Sequence, residues 1–289
     1  MSDHFAAFSF VDRIDGHVPA KRARGTFAIP RGIRAFPSCL LAEAVGQLAA
    51  WVSMAHIDFR GRPVAALARQ TRFLRDARPG DTLDLSVEIE DCDDEAVAYR
   101  GHADIAGERA LELGDCLGPM LPLADFDDPA AMRGRFALLT GAGAVPGRFG
   151  GVDLPAPERI AAPAANVAEA LLHVPAQAAF FNDHFPRRAV FPATLMLDAQ
   201  IGVALDLARE SGAFTAPTPL RMTHVKVRAF TSPGSTLRLR AEMRDPAQGE
   251  ATLMLTAFAG EKTVATARVV VGAAASRSAD RPETAGVQT

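Results

Sequence analysis

Two long apolar runs lie in equivalent surroundings along the chain, and each begins directly after a proline. The runs follow Pro37 and Pro192. Their large apolar residues are Leu40, Leu41, Val45, Leu48 and Trp51 in the first, and Leu195, Leu197, Ile201, Val203, Leu205 and Leu207 in the second. Length and proline at the first turn favour an α-helix, and the wide spread of apolar positions favours burial. We therefore predict two long, mostly buried helices.

Stretches rich in β-forming residues follow each helix. They are Val64–Phe73, Thr82–Glu90, Ala96–Ala106 and Arg109–Leu117 after the first, and Arg221–Phe230, Thr236–Met243, Glu250–Ala259 and Lys262–Val271 after the second. Pro-Gly pairs or single glycines lie between many of these stretches, which is typical of antiparallel strands joined by tight turns. Each half of the chain is therefore predicted to be α+β, with one long helix against an antiparallel sheet.

The two halves align with each other at a nearly constant spacing. Phe36–Ala44 aligns with Phe191–Ala199, so that Pro37 and Pro192 stand 155 residues apart. The later turn prolines, Pro79 and Pro233, stand 154 residues apart. A repeat that keeps its spacing over two landmarks indicates an internal duplication.

This duplication predicts two domains, at residues 1–123 and 158–275. Residues 124–157 are expected to form a linker, because they hold a short helical candidate, Pro129–Leu139, followed by a segment rich in glycine and proline. Residues 276–289 are polar with little to bury, so we expect a disordered tail there.

Composition and charge narrow the classes of function. The net charge is -3 and the basic residues are scattered, which argues against a nucleic-acid partner. The three cysteines show no metal-ligand spacing, and the N-terminus resembles no secretory signal. No run reaches the roughly 18 uncharged apolar residues of a membrane span. We expect a cytoplasmic protein without a membrane partner.

The most specific motif lies in the second half, at residues 182–198. It contains His184-Phe185-Pro186, then Phe191-Pro192, and an acid, Asp198, fourteen residues after the histidine. This pattern closely resembles the signature of the β-hydroxyacyl-acyl-carrier-protein dehydratases. Residues 37–47 and 73–83 of the first half resemble the same family, and the resemblance covers roughly residues 8–123 and 165–272. It implies a hotdog fold, and the duplication then implies a double hotdog, a pseudo-dimer within one chain.

The resemblance also implies a composite catalytic site. In the family the histidine comes from one hotdog and the acid from the facing one, so His184 would face Glu43 with Gln47 beside it. Ile29 stands where the first half would need its own histidine, and Gly202 replaces the equivalent of Gln47. One complete site is therefore expected, with Asp198 as a relic of the other.

These residue types suit the elimination of water from a β-hydroxyacyl thioester. The reaction needs a base for the proton on C2 and an acid for the hydroxyl on C3. A histidine such as His184 accepts a proton near neutral pH, and an apolar tunnel would raise the pKa of Glu43 enough for it to donate one. Gln47, four residues after Glu43, shares its helix face and is expected to orient it. By resemblance, the Ala193 N–H at a helix start would stabilise charge on the thioester oxygen.

The substrate implied is a β-hydroxyacyl chain on the phosphopantetheine arm of an acyl carrier protein or coenzyme A, in fatty acid or polyketide-type biosynthesis. Neither a metal nor another cofactor is expected. The substrate contacts expected from the motifs are Phe185, Pro186, Phe191, Pro192, Pro37 and Cys39. The chain would act as a monomeric pseudo-dimer or a homodimer. Two other functions stay open: a non-catalytic acyl-binding subunit, and a hotdog acyl thioesterase, which works with a helix carboxylate and water.

Overall fold

The computed structural model describes residues 4–247 and 249–273, so the predicted tail at 276–289 lies outside the described residues. Three α-helices occur in this part: α1 (Ser38–His56), α2 (Pro129–Thr140) and α3 (Ala193–Glu210). The two predicted long helices, α1 and α3, are confirmed. Each begins one residue after its proline, and Pro37 and Pro192 occupy the N-cap positions.

The strands that accompany α1 are β1 to β7, and those that accompany α3 are β8 to β13. The first group is β1 (Arg13–Val18), β2 (Arg22–Ala28), β3 (Gly61–Pro63), β4 (Leu67–Phe73), β5 (Thr82–Cys92), β6 (Ala96–Ile105) and β7 (Glu108–Pro122). The second group is β8 (Glu158–Ile160), β9 (Val167–His173), β10 (Pro217–Val227), β11 (Thr236–Ala247), β12 (Glu250–Ala259) and β13 (Lys262–Ala273).

A single antiparallel sheet runs through both groups of strands. Its order is β1-β2-β5-β6-β7-β4-β10-β13-β12-β11-β9-β8, with β3 paired to β7. The two halves join where β4 pairs with β10, with Thr71 opposite Met222 and Ala68 opposite Val225. We call this β4–β10 pairing the seam.

The long helices pack on the sheet and on each other. α1 lies mainly against β5 and β6, α3 lies mainly against β11, and the two helices are in contact. Leu40, Ala44 and Leu48 of α1 are fully buried. Burial of these apolar surfaces is the main stabilising contribution to such a core. By length and composition α1 would be able to cross a membrane, but 61% of its most apolar stretch is buried inside the protein.

All eight predicted strands are present, and five further strands, β1, β2, β3, β8 and β9, were not predicted. In β2 the residues Ala23, Gly25 and Phe27 alternate with exposed or half-exposed arginines and a threonine. Two of these three buried residues are small, so the alternation gives only a weak apolar signal in the sequence. β3 and β8 have only three residues each, too few for a periodic pattern.

The segment between the halves is packed against the first half over part of its length. α2 begins at the N-cap Asp128, whose carboxylate accepts hydrogen bonds from the N–H groups of Ala130 and Ala131. Further on, the Phe149 ring is 3% exposed, and its centroid lies 5.0 Å from that of Phe10 and 6.0 Å from that of Phe36. A segment rich in glycine and proline is therefore anchored by one aromatic side chain.

Candidate active site

A cavity of about 200 Å³ lies where α1, the start of α3 and the seam meet. Its walls are mainly apolar, and they come from both halves of the chain. Leu67, Leu117 and Phe230 line it and are also 37 to 40% exposed, so they mark its opening to solvent. A mostly apolar cavity with a few polar groups is the usual form of a small-molecule site.

One face of α1 forms a wall of this cavity. Ala42, Glu43, Gly46, Gln47 and Ala50 all line it, and they are half-buried while their neighbours on the helix are mostly buried. Their spacing of one, three and four residues is that of a single helix face. Glu43 and Gln47 therefore project from α1 into the same space.

Gln47 fixes the position of Glu43. Its Nε2 donates hydrogen bonds to Glu43 Oε1 over 3.0 Å and to the Phe8 carbonyl over 2.9 Å. Its Oε1 accepts one from the Phe10 N–H over 2.8 Å. Because a backbone N–H only donates and a carbonyl only accepts, these two backbone contacts define which end of the amide faces Glu43.

Glu43 is also hydrogen-bonded by a residue from the second half of the chain. Thr194, the second residue of α3, donates a hydrogen bond from its hydroxyl to Glu43 Oε2 over 2.8 Å. Ala193 and Thr194 both line the cavity. Within the described residues the Ala193 N–H has no hydrogen-bond acceptor, as is usual for the first N–H groups of a helix.

His184 also lines the cavity, from the segment between the Ala179–Asn182 turn and α3. Its Nδ1 lies 2.8 Å from the Val190 carbonyl oxygen. The carbonyl only accepts, so Nδ1 carries a proton, and in the neutral ring Nε2 is free to take one up. The ring of Phe8 packs edge-on against the imidazole, with 5.7 Å between centroids.

Burial lowers the pKa of His184, and the positive charge of Arg62 lowers it further, while the carboxylate of Glu43 and the Val190 carbonyl act in the opposite direction. The imidazole therefore stays neutral at lower pH than a histidine in water. Within the described residues no direct hydrogen bond joins His184 to Glu43, although both line the same cavity. The structure thus brings a neutral base and a carboxyl group from different halves to one cavity.

Arg62, on β3, is a cavity residue that the sequence did not indicate. Its guanidinium carbon lies 4.1 Å above the centroid of the Phe185 ring, and its Nη1 pairs with Asp127 over 3.3 Å. Burial lowers the pKa of Arg62 to about 10, although the negative charges of Asp127, Glu43 and Asp183 act to raise it. No local pattern around a single arginine on a three-residue strand would reveal this position.

The N-terminal segment also lines the cavity, through Phe5, Phe8 and Ser9. The carboxylate of Asp183 holds this segment by accepting hydrogen bonds from the Phe8 N–H over 2.7 Å and the Ser9 hydroxyl over 3.1 Å. His4 lies between two acids, with Nε2 3.3 Å from Asp127 and Nδ1 3.4 Å from Asp183. Burial alone would lower the pKa of His4, but its bonds to these acids raise it to about 9.

Two of the six predicted substrate contacts line the cavity and four do not. Phe185 and Phe191 are in its walls. Pro37 and Pro192 instead cap their helices, Pro186 is exposed, and Cys39 is 2% exposed in the core. Substrate contact by these four residues stays a prediction, and Pro37 and Pro192 have a structural place at the helix starts.

Asp198 also lies outside the cavity lining. Burial raises its pKa to about 6, and its charge in turn raises the pKa of the buried Cys39 thiol, already raised by burial. Ile29, at the place of a histidine, is 3% exposed in the core. Among the described residues no group of three His, Cys, Asp or Glu side chains is placed to hold a metal ion.

Known proteins resemble this chain in two ways. Residues 161–268 match the model of the ApeI-like family, described as ApeI dehydratase. The 3-hydroxyacyl-[acyl-carrier-protein] dehydratase FabZ of Clostridium acetobutylicum is 29% identical over 113 residues, which are 35% of this chain and 80% of that protein.

Solved structures resemble the chain over most of its length. A protein described as an oleoyl thioesterase of Lactobacillus plantarum superposes with a TM-score of 0.58 at 11% identity, covering 87% of this chain and 96% of that one. The 12:0-ACP thioesterase of Umbellularia californica superposes with a TM-score of 0.51 at 12% identity, covering 86% and 93%. At such identity these likenesses show the fold alone.

The fold is therefore a hotdog fold, in which a long helix lies against an antiparallel sheet. Residues 161–268, which carry the His184 motif, match a dehydratase family model, and part of the chain is similar to a FabZ dehydratase; both findings support a hotdog dehydratase family.

Proposed function

We propose that the chain is a β-hydroxyacyl-thioester dehydratase with one composite active site, in which His184 is the base and Glu43 the acid. The observation that carries this proposal is that the two side chains, from different halves, line one cavity. Each is held by a hydrogen bond of 2.8 Å, His184 by the Val190 carbonyl and Glu43 by the Thr194 hydroxyl.

The reaction would proceed by two proton transfers at neighbouring carbons. Nε2 of His184 takes the proton from C2, and the electrons of that C–H bond form the C2–C3 double bond. The C3–O bond breaks, and the leaving hydroxyl takes a proton from Glu43 and departs as water. Return of the proton from the imidazolium to the carboxylate restores both groups. The products are a 2-enoyl thioester and water.

The start of α3 would assist the first transfer. Removal of the C2 proton places negative charge on the thioester oxygen, and N–H groups at a helix start stabilise such charge. Ala193 lines the cavity, and its N–H has no acceptor among the described residues. The Thr194 hydroxyl is able to accept as well as donate, so its contact with Glu43 survives protonation of the carboxylate.

We also propose that the chain is a double hotdog, with domains at residues 1–123 and 158–275 joined at the seam. In support, each half has one long helix that starts after a Phe-Pro pair, and structural relatives superpose over 86 to 89% of the chain. Asp198 would then be the relic acid of the second, incomplete site.

The thioester would be carried on a phosphopantetheine arm of an acyl carrier protein or of coenzyme A. The FabZ relative is an acyl-carrier-protein enzyme by name. Phe230 at the cavity opening lies 4.9 Å below the guanidinium carbon of Arg188, so a positive charge stands beside the entrance. Comparing kcat/KM for the same acyl group on the two carriers decides between them.

The test is hydration of a crotonyl thioester by the wild type and by His184→Ala, Glu43→Gln and Asp198→Asn. His184→Ala and Glu43→Gln are expected to lose about 10²- to 10⁴-fold in kcat. Asp198→Asn is the matched control, because Asp198 aligns with Glu43 in the other half but lies outside the cavity lining. This variant is expected to keep activity. Loss in Asp198→Asn with an active Glu43→Gln would contradict the pairing.

The same assay separates the two alternatives. Release of free thiol without hydration would favour an acyl thioesterase, in which Glu43 would activate water. Acyl-carrier binding without any turnover would favour a non-catalytic subunit.

A further inference from the structure

Three side chains form a stack beside the proposed base. The ring of His184 lies 4.0 Å from that of Phe185 between centroids, with 24° between their planes. The guanidinium carbon of Arg62 lies 4.1 Å from the same Phe185 centroid. Both distances are close to van der Waals contact, so the two groups occupy opposite faces of the Phe185 ring. Phe185 thus lies between a cation and an imidazole.

Other buried residues hold two members of this stack, Phe185 and Arg62, in place. Phe185 is 5% exposed, and Phe126 meets it edge-on, with 5.2 Å between centroids and 79° between planes. Arg62 is anchored by Asp127, which is 2% exposed. A guanidinium over an aromatic face is attracted by the negative face of the ring, and its planar shape suits stacking.

Arg62 comes from the first half of the chain, as Glu43 does, whereas Phe185 and His184 come from the second. The first half would therefore supply the acid and also hold the base of the other half. A purely structural ion pair with Asp127 would not require Arg62 to lie on Phe185 or to face the cavity, and it does both.

We infer that Arg62 is a positioning residue, which holds the His184 imidazole in place through Phe185 and keeps a fixed positive charge beside it. This inference rests on the proposed role of His184 as the base. A fixed cation near the imidazole disfavours the imidazolium, so the base stays unprotonated in more acidic solution.

The charges around His184 come from several elements. Glu43 on α1 favours the imidazolium, and Arg62 on β3 opposes it. Asp127 pairs with Arg62 and also with His4, and His4 pairs in turn with Asp183. The negative charges of Asp127 and Asp183 are balanced by the positive charges of His4 and Arg62. Removal of the Arg62 charge therefore leaves this group of side chains with a net negative charge.

The experiment compares Arg62→Met, Arg62→Lys and the wild type in two measurements. One is the NMR titration of the His184 ring, and the other is the pH profile of dehydration of a 3-hydroxybutyryl thioester. Arg62→Met is expected to move the His184 midpoint and the acidic limb upward by about half a pH unit or more. It is also expected to lower kcat about tenfold through looser placement of the ring. Arg62→Lys keeps the charge and is expected to keep the midpoint.

Arg133→Met is the matched control, because Arg133 also lies over a phenylalanine, Phe59, at 5.6 Å, but outside the cavity lining. It is expected to change neither measurement. A folded Arg62→Met protein with an unchanged His184 midpoint would overturn the inference, whatever its activity. If Arg62→Met does not fold, Arg62→Gln, whose amide is able to donate to Asp127, replaces it in the same comparison. A wild type without dehydratase activity would refute the proposed function, while the titration would still decide the inference.

Discussion

The hydroxyl of Thr194 and the carboxylate of Glu43 meet over 2.8 Å, although the two residues lie 151 positions apart in the chain. This contact links the first turn of α3 to the second turn of α1. Gln47 holds the other carboxylate oxygen, so both oxygens of Glu43 have a partner. The proposed acid is thus oriented jointly by both halves.

Loss of the Thr194 hydroxyl is expected to impair turnover more than folding. Thr194→Val keeps the shape but removes a hydrogen bond that orients Glu43, worth about 0.5 to 1.5 kcal/mol, so kcat should fall roughly 2- to 10-fold. Thr194→Ser should restore most of it. Steady-state hydration assays measure both.

The matched control for this prediction is Thr218→Val, which removes a hydroxyl contact with the Gly272 carbonyl on β13, outside the cavity lining. It should leave kcat unchanged. Equal losses in both valine variants would mean that the Thr194 contact has no special part in turnover.

On the acidic side of its pH profile, the dehydration rate should begin to fall only below the usual histidine range. Burial lowers the pKa of His184 below 6.5, so its neutral form, which takes up the C2 proton, persists below that pH. The acidic limb of kcat/KM for dehydration is therefore expected below pH 6.5. An acidic limb above pH 6.5 would be inconsistent with His184 as the buried base.

His4 is expected to make folding stability depend on pH. Its pKa is raised from 6.5 to about 9 in the folded chain, so its stabilising effect is fully present below pH 6.5 and disappears as pH rises through 9. The difference in unfolding free energy between wild type and His4→Asn should therefore shrink between pH 6 and 9.5. Denaturant titrations at several pH values measure this.

His17→Asn provides the comparison for His4, because His17 is an exposed histidine on β1. It should show no comparable trend with pH. A wild-type to His4→Asn difference that stays constant over the range would exclude the pairing with Asp127 and Asp183 as its source.

Phe149 is expected to anchor the segment between the halves. Phe149→Ala should cost about 3 to 5 kcal/mol of unfolding free energy, as removal of a buried phenylalanine does. Val145→Ala, four residues earlier and 72% exposed, should change it by about 0.5 kcal/mol or less. Denaturant unfolding measures both, and similar values for the two would show that Phe149 packs too loosely to matter.

Local patterns predicted most of the fold. Both helices, α1 and α3, were predicted from a proline and the apolar run that follows it. The eight predicted strands agree closely with β4–β7 and β10–β13. Of the strands that were not predicted, β1 and β8 lie at the edges of the sheet, and β3 and β8 have only three residues each. β2 and β9 are inner strands of seven residues. In β1 only Ile14 is buried, and two of the three buried residues of β2 are the small Ala23 and Gly25, so the apolar signal of both strands is weak.

The site was predictable only in part. Glu43 and Gln47 stand four apart on a helix, and His184 lies in a motif that resembles the dehydratase signature, so the resemblance was enough to name them as candidates. Arg62, Thr194 and Phe8 have no such signal, because their places depend on contacts between distant segments. The motif prolines lie outside the cavity lining, and the sequence did not show this because it does not reveal which side of a turn faces a cavity.

The seam has a consequence for behaviour on dilution. β4 and β10 belong to one polypeptide, so the two walls of the cavity come together in a first-order process. The effective concentration of one half near the other is set by the length of the chain that connects them. An equivalent pair of separate subunits would come apart in sufficiently dilute solution and lose the shared cavity. Here each molecule keeps its own, and specific activity is expected to stay constant down to nanomolar protein.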